Sequence, residues 1–147
     1  MKWLSVIVVG MGLLMAASVS AAENEADAVL GEWYTDEDES VVEIYRLDDK
    51  FYGKIVWLKE PYTPEGSEKR DIHNPDESKR DDSIIGLQLL SDFRYSGRNR
   101  WDKGTVYDPN DGKTYSCKMR LKGDRLKIRG YVGIAVFGRT TIWRRKQ

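Results

Sequence analysis

The sequence predicts an all-β fold, an eight-stranded antiparallel up-and-down barrel, and three observations lead to it. Short runs rich in β-branched and aromatic residues recur through most of the chain. Brief connections of Asp, Asn, Gly and Lys separate them, as between antiparallel neighbours. Beyond the first residues the chain shows no sustained apolar period of 3.6, so helices should be minor.

The first 22 residues are typical of a cleaved signal peptide. Lys2 supplies a positive n-region, and Trp3 to Met15 is an apolar run too short to span a bilayer. Small residues from Ala17 to Ala22 suit a signal peptidase site, although a retained membrane anchor is an alternative. We therefore expect a single domain over residues 23–147, periplasmic or secreted, with no membrane span after cleavage.

The first candidate strand carries a Gly-x-Trp motif, Gly31-Glu32-Trp33. On the first strand of an all-β domain this motif is typical of lipocalin-like barrels, in which the indole plugs the closed end and the glycine leaves room for it. We expect Gly31, Trp33 and Thr35 to point inward together. The motif indicates a fold and no reaction.

The second and third strands, Val41–Leu47 and Phe51–Lys59, are joined by Asp48-Asp49-Lys50, which suits a hairpin. Glu43 lies within an apolar run and shares a strand face with Val41. It is therefore the one candidate for carboxylate catalysis, although an outward Glu43 paired with a basic neighbour explains it equally well.

The next connection breaks this rhythm of short turns. Residues 60–82 contain three prolines and a dense mixture of charges, which predicts a long loop. A helical turn from Pro75 to Lys79, capped by Asn74, fits within it. Its lone His73 lacks the clustered ligands of a zinc or iron site, so we predict no metal and no cofactor.

Five further strands complete the set, and each is rich in β-formers. They are Ile84–Phe93, Trp101–Tyr107, Thr114–Leu121, Arg125–Val132 and Arg139–Arg145. Asp108 to Gly112, between two of them, has some features of a calcium loop. It lacks the spaced acids and the distal glutamate of such a loop, so we assign it as a hairpin turn.

Charge is divided between two parts of the chain. Residues 113–147 contain eleven Lys or Arg and one acid, whereas residues 23–112 contain twelve basic residues and 23 acids. Closure of the barrel would place the stretch Arg139–Lys146 beside the acidic segment 32–49, each exposed pair contributing about 0 to 1 kcal/mol. Nucleic-acid binding is the alternative use of the basic part, but we do not expect it in an exported chain whose net charge is near zero.

Several longer stretches together resemble one bacterial family of small exported proteins catalogued as a domain of unknown function. The stretches that carry the resemblance are Gly31–Pro61, Asp71–Arg80, Ile85–Phe93, Trp101–Lys118 and Leu126–Trp143. The resemblance covers nearly the whole of residues 23–147 and implies a lipocalin-like barrel in the envelope. It implies no established substrate or reaction.

Side-chain parity on the last strand predicts the two ends of the barrel. Arg145 should lie at the closed end, over Trp33, as a cation–π cap worth about 0.5 to 2 kcal/mol, and Arg144 takes its place if a bulge exchanges the faces. Arg139 should sit toward the open end, where a ligand carboxylate or phosphate would neutralise it. Pairing with a rim acid such as Asp36 is the alternative.

The predicted ligand-binding residues combine Arg139 with an apolar lining. The lining consists of Trp143, Tyr115, Cys117, Met119 and Ile128. The same apolar residues would equally fill a solid core. Cys117, the one cysteine, should be a buried small hydrophobe rather than a reactive thiol.

The sequence favours an exported carrier or binding protein for a small amphipathic or apolar molecule. The alternative is an envelope interaction module with a solid core, in which the loop 60–82 and the charged rim bind a protein partner. An enzyme on the same barrel is less expected, because no nucleophile–base arrangement is present and we assign no catalytic residue. We expect a monomer that binds no nucleic acid.

Overall fold

Eight strands follow one another in chain order around a closed antiparallel barrel in the computed structural model, which describes residues 24–134 and 138–147. The strands are β1 (Gly31–Tyr34), β2 (Ser40–Leu47), β3 (Lys50–Leu58), β4 (Gln88–Gly97), β5 (Arg100–Asp108), β6 (Lys113–Lys122), β7 (Arg125–Tyr131) and β8 (Gly138–Arg145). The predicted fold class is thereby confirmed. The expected signal peptide, residues 1–22, lies outside the described residues.

Only β4 differs from the sequence prediction by more than one residue: it ends at Gly97 rather than Phe93, and it begins at Gln88 rather than Ile84. The reason is that the preceding residues bond to β3 and to the loop: Gly86 N donates to Ile55 O at 2.7 Å, and Ile84 N donates to Lys69 O at 3.1 Å. The long loop therefore extends over residues 59–87.

The helical turn in this loop is shorter than predicted and is capped by a different residue. It spans Glu77–Lys79, and the Asp76 side chain accepts a hydrogen bond from Ser78 N. The Asn74 side chain instead accepts a hydrogen bond from the backbone N of Asp76 at 2.9 Å, so it contacts the residue before the turn. Prediction of the cap at Asn74 was therefore wrong. No helix among the described residues is both long and apolar enough to cross a membrane.

The first and last strands close the barrel, as the charge pattern predicted. Trp33 of β1 pairs in register with Arg145 of β8. Opposite charges meet along this seam, because Arg144 lies 3.1 Å from Asp38 and Lys146 lies 2.7 Å from Glu32. The Glu32 carboxylate raises the pKa of Lys146 by accepting its hydrogen bond and by its charge.

The two ends of the barrel are built differently. One end carries three tight hairpins and is crossed by the segment 24–30, which includes a 3-10 turn at Asp27–Val29. The other end carries the longer connections. These are residues 35–39, 59–87, 109–112 and 132–137, the last of which is described only up to Ile134.

Large side chains fill the interior over most of its height. Its buried residues include Trp33, Val42, Ile44, Phe51, Ile55, Leu90, Phe93, Trp101, Leu121 and Leu126. Two glycines make this filling possible: a Cβ on Gly104 would overlap the ring of Phe93, and one on Gly53 would lie 2.9 Å from Leu90 Cδ1. The barrel core is therefore packed against its own backbone at these positions.

Candidate functional site

The closed end is organised around Trp33 and Arg145. The Arg145 guanidinium carbon lies 4.2 Å from the centroid of the Trp33 ring, and its nitrogens donate to the carbonyls of Leu30 and Ala28 at 3.0 and 2.6 Å. Trp33 Nε1 donates to Val29 O at 2.9 Å. Aromatic stacking and backbone hydrogen bonds thus fix the guanidinium, and no acidic side chain of the described residues forms an ion pair with it.

Gly31 belongs to this closed end, whereas Arg144 lies outside it. Gly31 adopts φ +117°, and a Cβ there would lie 3.5 Å from Arg145 Nη1. Arg144 points outward instead, where it stacks on Tyr34 at 4.5 Å from the ring centroid. No bulge exchanges the two faces, so the guanidinium over Trp33 belongs to Arg145.

A second tryptophan joins the closed end, and sequence reasoning missed it. Trp101 is fully buried, and its Nε1 donates to Ala26 O at 3.1 Å, across 75 residues of chain. This bond forms because residues 24–30 fold back over the barrel end. No local pattern marks such a crossing, since it depends on where the segment meets the finished barrel.

Four of the predicted lining residues belong to the packed interior. Cys117, Met119, Ile128 and Trp143 are all buried, with at most 5% of each exposed. Burial raises the pKa of the Cys117 thiol to about 12, so the thiolate that a nucleophile requires is disfavoured. None of the four presents a side chain to solvent in this structure.

Beyond these buried residues, the inward positions nearer the open end of β5 to β8 are partly exposed to solvent. We call these positions the mouth; they are Val106, Tyr115, Gly130, Arg139 and Thr141. The register places Val106 opposite Tyr115, Ile128 opposite Thr141, and Gly130 opposite Arg139. Along their own strands, Tyr115 precedes the buried Cys117 and Gly130 follows the buried Ile128, so both lie one inward position nearer the open end.

Arg139 does not point into an enclosed apolar lumen, as the parity argument expected. The residue is exposed, because it lies at the open-end start of β8 and its cross-strand neighbour Gly130 has no side chain to cover it. Tyr115 also differs from a purely apolar lining residue, since its hydroxyl donates to Asp111 Oδ2 and this bond raises the pKa of Tyr115. The mouth is consequently amphipathic.

The long loop docks beside the mouth through one buried carboxyl group. Asp71 is only 1% exposed; its Oδ1 accepts from the Tyr107 hydroxyl at 2.7 Å, and its Oδ2 accepts from Asn74 Nδ2 at 2.8 Å. Burial raises the pKa of Tyr107 to about 12, and the bond to Asp71 adds to this effect. Gly112 completes the contact, because a Cβ there would overlap the carbonyl of His73.

Replacement of Tyr107 by phenylalanine should release this loop. The change removes one of the two side-chain donors to a buried carboxyl group, a loss that costs about 1 to 3 kcal/mol locally. We expect trypsin to cleave faster after Lys69, Arg70, Lys79 and Arg80 in Tyr107→Phe than in the wild type. Tyr52→Phe is the matched control, since Tyr52 donates to Asp92 on the exposed surface. Equal cleavage rates in the two variants would contradict the anchoring role.

The remaining chemical candidates do not assemble into a site. Glu43 lies opposite Lys54 in the register of β2 and β3, with its strand neighbours Val42 and Ile44 buried in the interior. His73 is exposed. Among residues 24–134 and 138–147, no group of three or more His, Cys, Asp or Glu is arranged to hold a metal ion.

Comparison with known proteins agrees with this architecture. Residues 31–145 match the model of a family described as an uncharacterized protein conserved in bacteria, DUF2147. Among solved structures, the barrel is similar to the Helicobacter pylori protein HP1028, which is described as belonging to the lipocalin family. The two share 27% sequence identity at a TM-score of 0.71, over 81% of this chain and 83% of that one. No curated protein gives a significant match.

Proposed function

Because this chain belongs to the conserved bacterial family DUF2147 and shares its barrel with a lipocalin-family protein, we propose that it binds a small amphipathic or apolar ligand at the mouth. The fold suggests ligand binding in general. The proposal adds the place, the ligand chemistry and the role, which is that of an exported carrier in the bacterial envelope.

One observation supports the choice of the mouth as the ligand-binding place. Inward positions are buried from the closed end up to Cys117 and Ile128, whereas those of the mouth remain partly open. Small-molecule sites combine apolar lining with a few convergent polar groups. The mouth offers this combination: Val106 lies opposite Tyr115 in the register of β5 and β6, and Arg139 is exposed on the rim.

The filled lower half restricts how a ligand binds. Phe93 and Trp143 occupy the depth that a long chain would need to lie along the barrel axis. A ligand therefore lies across the mouth, with its apolar part on Val106 and its anionic group at Arg139. A carboxylate or phosphate suits an arginine because both allow two parallel hydrogen bonds.

Native mass spectrometry of residues 23–147, purified gently from a bacterial periplasm, tests the carrier proposal directly. We expect a stoichiometric amphiphile to accompany the folded protein, to be identified after solvent extraction. A clean apo mass combined with no binding of any added fatty acid would contradict the proposal. It would favour the interaction module, whose partner should then be captured through the loop 59–87.

Arg139→Ala tests the polar half of the proposed site. We expect it to weaken binding of a fluorescent fatty-acid analogue about 10-fold, because a charge-assisted hydrogen bond contributes about 1.5 kcal/mol or more. Binding of the methyl ester of the same analogue should change little, since the ester carries no charge. Arg98→Ala, which removes an exposed arginine from a hairpin at the closed end, is the control. If Arg139→Ala weakened binding of the acid and of the ester equally, Arg139 would not bind the anionic group.

A further inference from the structure

A basic surface covers the outer face of the barrel from β5 to β8. We call it the basic face; it consists of Arg100, Lys118, Arg120, Lys122, Arg125, Lys127, Arg129 and Arg144. Burial alternates along β6 and β7, so that these cations point outward while Cys117, Met119, Leu126 and Ile128 point inward. The cations thus form rows on adjacent strands.

The register sets like charges directly opposite one another on this face. Arg120 pairs with Arg100 on one side and with Lys127 on the other, and Lys118 pairs with Arg129. Like charges in directly opposed positions destabilise a sheet. A shallow groove of about 380 Å³ runs among these side chains. Such an arrangement is favoured when an anion occupies the surface.

Two ion pairs lie at the margins of the basic face. Arg144 reaches Asp38 at 3.1 Å, and Arg125 lies 3.6 Å from Asp124. Within the described residues, the central cations Lys118, Arg120 and Lys127 form no ion pair. Asp102, which lies in the groove, accepts a hydrogen bond from Ser96 at 2.7 Å.

Exposed apolar residues continue the basic face toward the open end. The outward row of β7 ends in Tyr131, and the chain then presents Val132 and Ile134, which are 69% and 60% exposed. Ile142 of β8, opposite Lys127, is 48% exposed. We call Val132 and Ile134 the apolar tip. Cations followed by an aromatic ring and then by aliphatic residues match the polarity gradient of a lipid interface.

We propose that the basic face and the apolar tip dock this protein on a bilayer that contains anionic phospholipids. Lipid phosphates lie against the central cations, and the apolar tip enters the boundary between headgroups and acyl chains. A nucleic acid fits less well, because single-strand binding uses several stacking aromatics and, among the described residues, the face offers only Tyr131. A nucleic acid would also make no use of the apolar tip.

Vesicle co-sedimentation of residues 23–147, which contain the whole barrel, tests this proposal. We expect binding to vesicles of phosphatidylglycerol and phosphatidylcholine, little binding to phosphatidylcholine alone, and release at about 0.5 M salt because the charges are then screened. The triple variant Lys118→Glu, Arg120→Glu, Lys127→Glu should bind at least about 100-fold more weakly, since each lost cation contributes about fivefold and each new carboxylate is repelled by the anionic surface.

A second triple variant separates the basic face from net charge. Lys59→Glu, Lys69→Glu, Lys79→Glu changes the charge by the same amount on the long loop and should keep wild-type affinity. Val132→Ser with Ile134→Ser should weaken binding while leaving its salt dependence intact. Equal loss in both triple variants would overturn the proposal, as would equal binding to neutral and anionic vesicles. Binding of a soluble polyanion without any binding to vesicles would overturn it too.

Stability supplies an independent readout for the basic face. Reversal of Arg120 alone, in Arg120→Glu, places a carboxylate opposite both Arg100 and Lys127. We expect the melting temperature to rise by about 3 °C, because two repulsive cross-strand pairs become attractive. The same variant should lose vesicle affinity, so that stability and binding change in opposite directions. A fall in both would show that Arg120 serves the fold instead.

Discussion

Trp33→Ala should lower the free energy of unfolding by about 4 kcal/mol, the largest effect that we expect from one side chain. The indole is fully buried, and its removal leaves a cavity that the rigid strands around it close only in part. The change also removes the ring beneath Arg145 and leaves the Val29 carbonyl without its indole donor. Several losses therefore coincide at one position.

Urea denaturation followed by circular dichroism measures this effect. Trp57→Ala is the matched control, because Trp57 is 44% exposed and makes an edge contact with Tyr34 at 6.4 Å between ring centroids. We expect the control to cost about 1 kcal/mol. Similar costs for the two variants would mean that Trp33 does not plug the barrel as described.

Gly104→Ala should lower the free energy of unfolding by about 3 kcal/mol, although it adds only one methyl group. The new Cβ would overlap the ring of Phe93, and that ring is itself fully buried. Overpacking of this kind forces shifts of backbone or rotamer, which cost about 1 to 3 kcal/mol and occasionally more. The glycine is therefore required by packing and not by backbone conformation.

A double-mutant cycle with Phe93→Leu tests the cause of this loss. Leucine removes the flat ring, so Gly104→Ala should cost less in the Phe93→Leu background than in the wild type. Gly130→Ala is the control within a strand, because the nearest side-chain atom to its Cβ would be Val106 Cγ1 at an ordinary 3.4 Å. Additive costs in the cycle would show that the strain lies elsewhere.

The strands were predictable because their signals are local. Alternating burial and turn chemistry are properties of neighbouring residues, and seven of the eight predicted strands begin and end within one residue of the structure. Prediction failed at the start of β4, where Ile84 is as apolar as a strand residue should be. Its backbone instead bonds to Lys69 across the loop, which a single-strand pattern does not reveal.

The candidate site was predictable only in part. Parity on β8 placed Arg139 and Trp143 on one face, and they do share it. Parity gives a direction but not a depth, so it did not distinguish the buried Trp143 from the exposed Arg139 on the rim. The buried Asp71 was hidden among the other charges of the loop, because its partner Tyr107 is distant in sequence.

The sequence by itself determined the number of strands, the presence of one long loop between β3 and β4, and the separation of charge that the closing strands use. Tertiary structure alone decided how far side chains fill the interior, which tryptophans the segment 24–30 caps and which cations stand together on the outer face. Local propensity follows from a residue and its neighbours. Filling, capping and cross-strand repulsion depend on which distant residues the closure of the barrel brings together.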